Sequence, residues 1–169
     1  FSTQDFLHFA FVGKGGEFSY QNHYTVLADD QLAGVGAIFT GDEILGFTMS
    51  NVKRIIQFYK FNSVSIIPRG LKIESLIKPP QKSEAAIGHL GIQESFRCQG
   101  LGTMLIEKLM ESPKISKHTS FVLDVSVENP NTQKLYERMG FIETEKCISI
   151  LNNKYAQVVD HNRMSRNMP

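Results

Sequence analysis

Residues 84 to 140 most constrain what this chain can fold into, because strand and helix patterns alternate there. Residues 84 to 94 have the composition of a strand. The helix pattern that follows has one apolar face, formed by Leu101, Met104, Leu105 and Leu109. Residues 119 to 127 form a second strand pattern, and Asn129-Pro130 then provides the cap and first turn of a helix that Gly140 ends. Alternating strands and helices require crossover connections, so this region predicts an α/β core.

The flanking regions add shorter elements around this core. Ser2 can cap a first helix, which is ended by the glycine-rich run that begins at Gly13. Asp29-Asp30 fits the turn of one hairpin, and Asn152-Asn153 fits the turn of another. Prolines punctuate the middle of the chain, at Pro68-Arg69-Gly70 and Pro79-Pro80. The predicted flanking helices cover residues 2–12 and 50–61, and the predicted flanking strands cover residues 23–28, 32–40, 141–151 and 155–164.

Composition limits the class of protein. With 169 residues, 41% of them hydrophobic, the chain has the size of one globular domain. A net charge of +1 removes the usual electrostatic basis for nucleic-acid binding, and no apolar run approaches the roughly 20 residues that cross a bilayer. Cys98 and Cys147 are too few for a disulfide framework and no signal-peptide pattern opens the chain, so a cytoplasmic location is expected. The chain begins with Phe1 rather than Met, and we therefore expect a further element upstream of it.

The loop from Arg97 to Thr103 is the most informative short segment, because a strand ends and a helix begins there. The first N–H groups of a helix lack internal acceptors and lie at the positive end of its dipole, so they can bind an anion. Gly100 and Gly102 would let phosphate oxygens approach the backbone. Two glycines in isolation favour a tight turn without a ligand, so both interpretations stay open at this point.

Two common phosphate-binding motifs do not match this loop. A Walker loop needs a lysine between its last glycine and the hydroxyl residue, but Thr103 directly follows Gly102. The dinucleotide fingerprint expects a third glycine where this chain has Leu105. ATP hydrolysis is therefore disfavoured, and a nucleotide-dependent oxidoreductase stays only as a third alternative.

Two motif blocks resemble a known family. Arg97-Cys98-Gln99-Gly100-Leu101-Gly102 fits the Arg/Gln-x-x-Gly-x-Gly/Ala signature of the Gcn5-related N-acetyltransferases (GNAT), and Leu90-Gly91-Ile92 precedes it in the expected strand. The family's next strand and helix resemble Leu123-Asp124-Val125, Asn129, Leu135-Tyr136 and Gly140-Phe141. The resemblance implies a single domain over residues 1–169, in which a mixed, mostly antiparallel central sheet has flanking helices. It also implies that an N-terminal element is absent and that residues 42–82 are an insertion between the family's third and fourth strands.

The resemblance implies transfer of an acetyl group from acetyl-CoA to an amine in a ternary complex, with no metal. The pyrophosphate would bind the backbone of the loop, with Arg97 nearby, at Cys98, Gln99, Gly100, Leu101, Gly102 and Thr103. The pantetheine would run along a strand edge at Leu90, Gly91 and Ile92. Asn129 would join the cofactor site if its capping geometry leaves the amide free. The histidines and cysteines show no metal-ligand spacing.

Candidate acid and base groups follow from the same resemblance. Tyr136 lies at the family's usual general-acid position, where a phenol with a reference pKa of about 10 can protonate the departing thiolate. His89 and Glu94 are the candidates for the base that takes the amine proton. Histidine has a suitable reference pKa of about 6.5, although a lone histidine in a strand is more often simply packed. Cys98 has no clear histidine partner that would make it a nucleophile.

The first third of the chain bears on the acceptor. Nine of the 12 Phe lie within residues 1–61, and residues 1–50 carry six acids against one base. We expect a cationic, partly apolar amine of a small molecule or peptide, with the insertion as a lid or wall. Residues 51–82 are basic, with seven bases and one acid, but charge blocks this dilute are also common on solvated faces. No nucleic-acid or membrane partner is expected, a homodimer stays open, and the alternative function is a catalytically silent acyl-CoA-binding sensor or scaffold.

Overall fold

The described residues, 2–74, 77–149 and 158–168, form a six-stranded sheet with flanking helices in a computed structural model. The strands are β1 (His23–Ala28), β2 (Gln31–Thr40), β3 (Glu84–Ile92), β4 (Ser120–Ser126), β5 (Ile142–Cys147) and β6 (His161–Asn167). Their order across the sheet is β1-β2-β3-β4-β6-β5. β3 and β4 run parallel, and the other neighbouring pairs run antiparallel. The sheet confirms the expected mixed, mostly antiparallel α/β fold.

Helices connect and cover these strands. They are α1 (Thr3–Val12), α2 (Ile44–Tyr59), α3 (Ser63–Glu74), α4 (Leu101–Met110) and α5 (Pro130–Arg138). α1 begins with a capping box, because Ser2 Oγ accepts from the Asp5 N–H at 3.1 Å and the Asp5 carboxylate accepts from the Ser2 N–H at 2.8 Å. These bonds favour the charged carboxylate and lower the pKa of Asp5.

Within the described ranges, no helix combines the length and apolar character that crossing a membrane would require.

The short-range signals placed most boundaries correctly. Asp29 and Asp30 have φ values of +49° and +60°, as the two central residues of a tight hairpin turn require, and β1 pairs with β2 around them. Gly140 ends α5 with a φ of +85°, as its sequence position predicts. β5 and β6 pair as a hairpin, but β6 begins at His161 and the predicted turn at 152–153 lies outside the described residues.

The region between β2 and β3 corrects two predictions. The helix predicted for residues 50–61 begins six residues earlier, at Ile44. Pro68-Arg69-Gly70 does not interrupt the chain but lies within α3. Proline removes one intrahelical hydrogen bond, yet the half-buried Ile66 and Ile67 pack this segment, and α3 packs against α2. Tertiary packing therefore outweighs the local breaker signal.

The two faces of the sheet differ in character. α4 and α5 pack on one face, and the buried cluster there includes Ile38, Ile87, Leu105, Leu109, Phe121, Leu123, Tyr136 and Phe141. We call this the core face. On the opposite face, which we call the α2 face, Phe39 of β2 meets the ring of Phe47 of α2 edge-on at 5.7 Å. Side chains that alternate along β2 and β3 therefore point either into the core or toward α1 and α2.

Candidate active site

A cleft opens between the two parallel strands. β3 pairs with β4 at three positions, Glu84 with Ser120, Ala85 with Phe121 and Ala86 with Val122. Beyond these pairs β4 continues to pair with β6, while residues 87–92 of β3 have no strand partner on that side among the described residues. The free N–H and C=O groups of this edge can bind an extended chain as an added strand. Leu90, Gly91 and Ile92, which the sequence assigned to the cofactor, lie on this edge.

The loop after β3 presents a row of free N–H donors. Within the described residues, no hydrogen bond is donated by the backbone N–H groups of residues 98–103, and Met104 is the first to donate, to the Gly100 carbonyl at 3.1 Å. Cys98 and Gly100 have φ values of +60° and +81°, which turn the chain sharply into α4. A Cβ added at Gly102 would lie 3.7 Å from Ile92 Cγ1, so the loop sits against the end of β3. These unpaired amides at the helix N-terminus fit a pyrophosphate.

Arg97 is tied to the end of β3. Its Nε donates to the Ile92 carbonyl at 3.2 Å, while the side chain stays exposed. Gln99 Nε2 donates to the Ser95 carbonyl at 3.2 Å, which braces the same turn. The guanidinium thus lies beside the amide row and can add positive charge to an anion held there.

Asn129 lies across the cleft, between the end of β4 and the start of α5. Its Oδ1 accepts from the Thr132 N–H at 3.3 Å and caps the helix. The Nδ2 group donates to no other described residue. The capping geometry therefore leaves the two N–H donors of the amide available to a ligand. A free amide was the condition under which the sequence placed Asn129 in the cofactor site.

Substitutions at Asn129 can separate capping from ligand binding. We expect Asn129→Ala to lower the free energy of unfolding by about 1 kcal/mol, because the capping acceptor is lost. Asn129→Asp keeps that acceptor, so its stability should stay near wild type while its affinity for CoA falls. Urea unfolding and calorimetric titration with CoA measure the two effects. Equal CoA affinity in the Asp variant and wild type would assign Asn129 to the helix alone.

Tyr136 of α5 is buried against the core face of the sheet. Its side chain belongs to the hydrophobic cluster, and its ring centroid lies 6.1 Å from that of Phe141. Burial raises the pKa of Tyr136 to about 12, because the phenolate would lose hydration. The hydroxyl therefore stays protonated at any physiological pH, as a proton donor must.

His89 lies where β3 bends. Its φ is +52°, and the register between β2 and β3 shifts at this point, which is the signature of a β-bulge. The bulge directs the side chain to the α2 face, where its ring stacks on Phe18 at 5.5 Å and meets the edge of Phe39 at 5.2 Å. The side chain is 30% exposed, and His89 follows the last β3 pair to β4, at Ala86, by three residues. His89 thus lies beside the opening of the cleft.

His89 is bonded to a second histidine. Its Nδ1 lies 2.9 Å from Nε2 of His23 in β1, and His23 Nδ1 lies 2.8 Å from the Ser19 carbonyl. Burial lowers the pKa of His23, so its neutral form is favoured. On the other side, His89 Nε2 lies 3.6 Å from Glu17 Oε1, and Asn51 Nδ2 donates to the second Glu17 oxygen at 3.3 Å. We call Glu17, His23 and His89 the histidine cluster.

The structure does not bring Glu94 to this cluster. Glu94 lies in the turn 94–96 that follows β3, is exposed, and makes no side-chain hydrogen bond or ion pair with another described residue. A carboxylate in this setting has neither burial nor a neighbour to adapt it for proton abstraction. Of the two candidate bases named from the sequence, His89 is the one that contacts other ionisable side chains in the described part of the chain.

Asp124 is a cleft residue that the sequence reasoning used only as part of a motif. It lies on β4 two residues beyond the last pair to β3, with its side chain 26% exposed. Burial raises the pKa of Asp124, and the Arg163 guanidinium at 3.6 Å acts in the opposite direction. Arg163 also donates to the Lys78 carbonyl at 2.6 Å, so it links this wall of the cleft to the segment before β3.

An apolar pocket adjoins the histidine cluster. It has a volume of about 310 Å³ and is lined by Leu7, His8, Phe11, Phe18 and His23. Leu7, His8 and Phe11 come from α1, Phe18 comes from the loop after it, and His23 begins β1, all within the Phe-rich first third of the chain. Arg54 of α2 donates to the carbonyls of Lys14 and Gly15 at 2.7 Å and so fixes that loop.

Sequence reasoning missed two members of the histidine cluster, Glu17 and His23. His23 and His89 are 66 residues apart, and each looks like an isolated histidine in a strand. They meet because β2 pairs with both strands: Ala37 lies opposite His23 on one side and opposite Gly88 on the other. Glu17 comes from a loop with no strand or helix pattern. A correct strand register would have found His23, whereas no local signal marks Glu17.

In the described part of the chain, no group of three His, Cys, Asp or Glu side chains is placed to hold a metal ion.

Comparisons with known proteins identify the family and support the fold. The model of the acetyltransferase (GNAT) family matches residues 4–141. A crystal structure of an acetyltransferase has a TM-score of 0.65 at 18% identity, covering 98% of this chain and 82% of that one. An N-acetyltransferase from Staphylococcus aureus Mu50 has a TM-score of 0.67 at 17% identity, with the same coverage. yncA, a putative acetyltransferase from Salmonella typhimurium solved with acetyl-CoA, has a TM-score of 0.52 at 12% identity, covering 86% of this chain and 63% of that one.

Proposed function

Because the chain belongs to the GNAT acetyltransferase family, we propose that it transfers an acetyl group from acetyl-CoA to the primary amine of a small molecule or peptide. One observation carries the proposal: the row of unpaired N–H groups at residues 98–103 lies at the end of an unpaired β3 edge. A phosphate group and an extended amide chain are the two ligand parts that such a surface binds. Acetyl-CoA has both, in that order.

The residues that would hold the co-substrate follow from this arrangement. The amides of residues 98–103 and the Arg97 guanidinium bind the pyrophosphate, while residues 90–92 bond to the pantetheine amides. Asn129 donates its free amide hydrogens from the opposite wall. When bound, acetyl-CoA supplies the thioester carbonyl that the amine attacks.

His89 and Tyr136 divide the proton transfers. In the reaction the amine nitrogen forms a bond to the acetyl carbon and the bond from that carbon to sulfur breaks. His89 accepts the proton that the ammonium form of the amine loses before it attacks, through Nε2, because its Nδ1 is bonded to His23. The nitrogen loses a second proton after the attack, and this proton balances the one that sulfur gains. Tyr136 donates its hydroxyl proton to the departing thiolate, and its raised pKa of about 12 keeps it in the donor form. The two groups act from opposite faces of the sheet.

The acceptor is a cationic amine with an apolar body. The carboxylate of Glu17 beside His89 attracts an ammonium group, and the pocket lined by Leu7, Phe11 and Phe18 accepts apolar surface next to it. An anionic acceptor would meet the Glu17 charge without compensation. The segment between β2 and β3 forms a wall of this region, because Arg54 and Asn51 of α2 fix the loop that carries Glu17.

A panel assay tests the proposal. Purified protein is supplied with acetyl-CoA and amines that vary in charge and apolar size, N-terminal and lysine peptides among them, and released thiol is measured. We expect turnover that is fastest for cationic amines with an apolar group. Calorimetric titration with CoA and NAD accompanies it: CoA binding without turnover of any amine would favour a silent sensor, and NAD binding without CoA binding would overturn the proposal.

A further inference from the structure

We propose that His23 is a positioning residue that holds His89 in the Nδ1–H tautomer, so that the lone pair of neutral His89 lies on Nε2. This inference rests on the proposed function for its catalytic meaning, and on the hydrogen-bond chain for its geometry. The chain runs from the Ser19 carbonyl through both imidazoles toward Glu17.

The direction of the hydrogen-bond chain follows from the Ser19 carbonyl at its start. A backbone carbonyl can only accept, so the 2.8 Å contact with Ser19 requires that His23 Nδ1 carries a proton. Neutral His23 then has its lone pair on Nε2, which can only accept. The 2.9 Å contact between the rings therefore requires that His89 Nδ1 is the donor. The tautomer of one histidine is thus set by the hydrogen bond that the other ring makes.

The surroundings keep His23 in the neutral form that this chain needs. Burial lowers the pKa of His23 and so disfavours its doubly protonated form, whose Nε2–H would donate to His89 Nδ1 and reverse the inter-ring hydrogen bond. Glu17 faces the far nitrogen of His89 rather than the inter-ring contact, at 3.6 Å. His8 of α1 lines the same pocket as His23 but has no hydrogen bond to the pair among the described residues.

Nε2 of His89, the reactive nitrogen, consequently faces the region where the amine substrate would bind. Nε2 points toward Glu17, the group that would hold the ammonium form of the amine. A base whose lone pair was on Nδ1 would instead face β1 and could not reach the substrate. Stacking on Phe18 and the edge-on contact with Phe39 fix where the ring lies but do not select its tautomer.

Three variants separate tautomer control from packing. His23→Phe keeps an aromatic ring but removes the acceptor. His23→Gln places an amide oxygen near the former Nε2 position and can still accept from His89. His8→Phe is the matched control for the tautomer measurement alone, because it replaces a neighbouring histidine that lines the same pocket but lies outside the hydrogen-bond chain.

Two measurements are made, the first on all three variants and the second on the two His23 variants. Long-range ¹H–¹⁵N correlation of the imidazoles, with His89 signals assigned by their loss in His89→Gln, reports the tautomer without any assay of activity. We expect Nδ1–H for His89 in wild type, His23→Gln and His8→Phe, and Nε2–H in His23→Phe. Turnover with the best amine should fall about 10- to 100-fold in kcat for His23→Phe, with KM for acetyl-CoA unchanged and most of the loss recovered in His23→Gln.

The outcomes distinguish this inference from the proposed function. An Nε2–H tautomer of His89 in wild type, or an Nδ1–H tautomer that persists in His23→Phe, overturns the inference. The expected tautomers together with no acetyl transfer to any amine would leave tautomer control in place and refute the acetyltransferase proposal. The wild-type spectrum decides the first point even if His23→Phe does not fold.

Discussion

Tyr136→Phe should lower kcat by about 10² to 10⁴, the usual contribution of a positioned general acid, while the affinity for CoA stays unchanged. The phenyl ring of the variant can keep the packing against Phe141, whose ring centroid is 6.1 Å away, so the loss reports on the hydroxyl. Because burial raises the pKa of Tyr136 to about 12, the wild-type hydroxyl should remain protonated up to that pH. Ionisation of this phenol should therefore produce no alkaline decline in kcat at lower pH. Steady-state kinetics and calorimetric titration with CoA check both statements.

The matched control is Tyr24→Phe. The Tyr24 hydroxyl contacts Ser112 Oγ at 3.1 Å near the end of α4 and belongs to no part of the cleft. Its removal should change kcat by less than about twofold, as for a hydroxyl outside the reaction. If Tyr136→Phe also kept its turnover, or lost CoA binding together with turnover, the general-acid role would have to be abandoned.

Gly102→Glu should weaken CoA binding about 10- to 100-fold relative to Gly102→Gln, because a carboxylate beside the amide row repels the pyrophosphate. The two variants have side chains of nearly the same size, so the difference isolates charge. Both should fold, since a Cβ at this position lies 3.7 Å from Ile92 Cγ1 in ordinary contact. An acidic group in the first turn of α4 also interacts favourably with the helix dipole.

Calorimetry with CoA at low and high salt measures the effect, which should shrink as salt screens the repulsion. Pantetheine, which lacks the pyrophosphate, is the control ligand: its affinity should be equal in the two variants. Equal affinities for CoA itself would contradict a pyrophosphate site at this loop.

Local sequence signals predicted the structure well where a particular residue type caps a helix or forms a turn. The capping box of α1, the Asp29-Asp30 turn and the Asn129 to Gly140 boundaries of α5 all depend on contacts within a few residues. Such contacts form in the same way whatever the rest of the chain does. The α/β class and the glycine-containing turn between β3 and α4 were therefore accessible from the sequence.

Signals failed where distant packing competes with local preference. Pro68 marks an interruption in the sequence but lies inside α3, because the apolar residues around it pack against the rest of the molecule. The start of α2 at Ile44 was missed for a different reason. Thr40 and Glu43 form a capping box, which is a local signal, but it lies in the short turn before α2, within residues that give little helical periodicity.

The sequence alone determined the α/β fold class, the strand-to-helix loop with its glycines, and the candidacy of Tyr136 and His89. Only the tertiary structure decided that β3 separates from β4 after Ala86, and that His89 lies between His23 and Glu17. The reason is physical: loop and cap geometry depend on neighbours along the chain, whereas a cleft and a hydrogen-bonded pair depend on strand register. Register joins residues as far apart as His23 and His89, and a bulge in β3 turns the second toward the first.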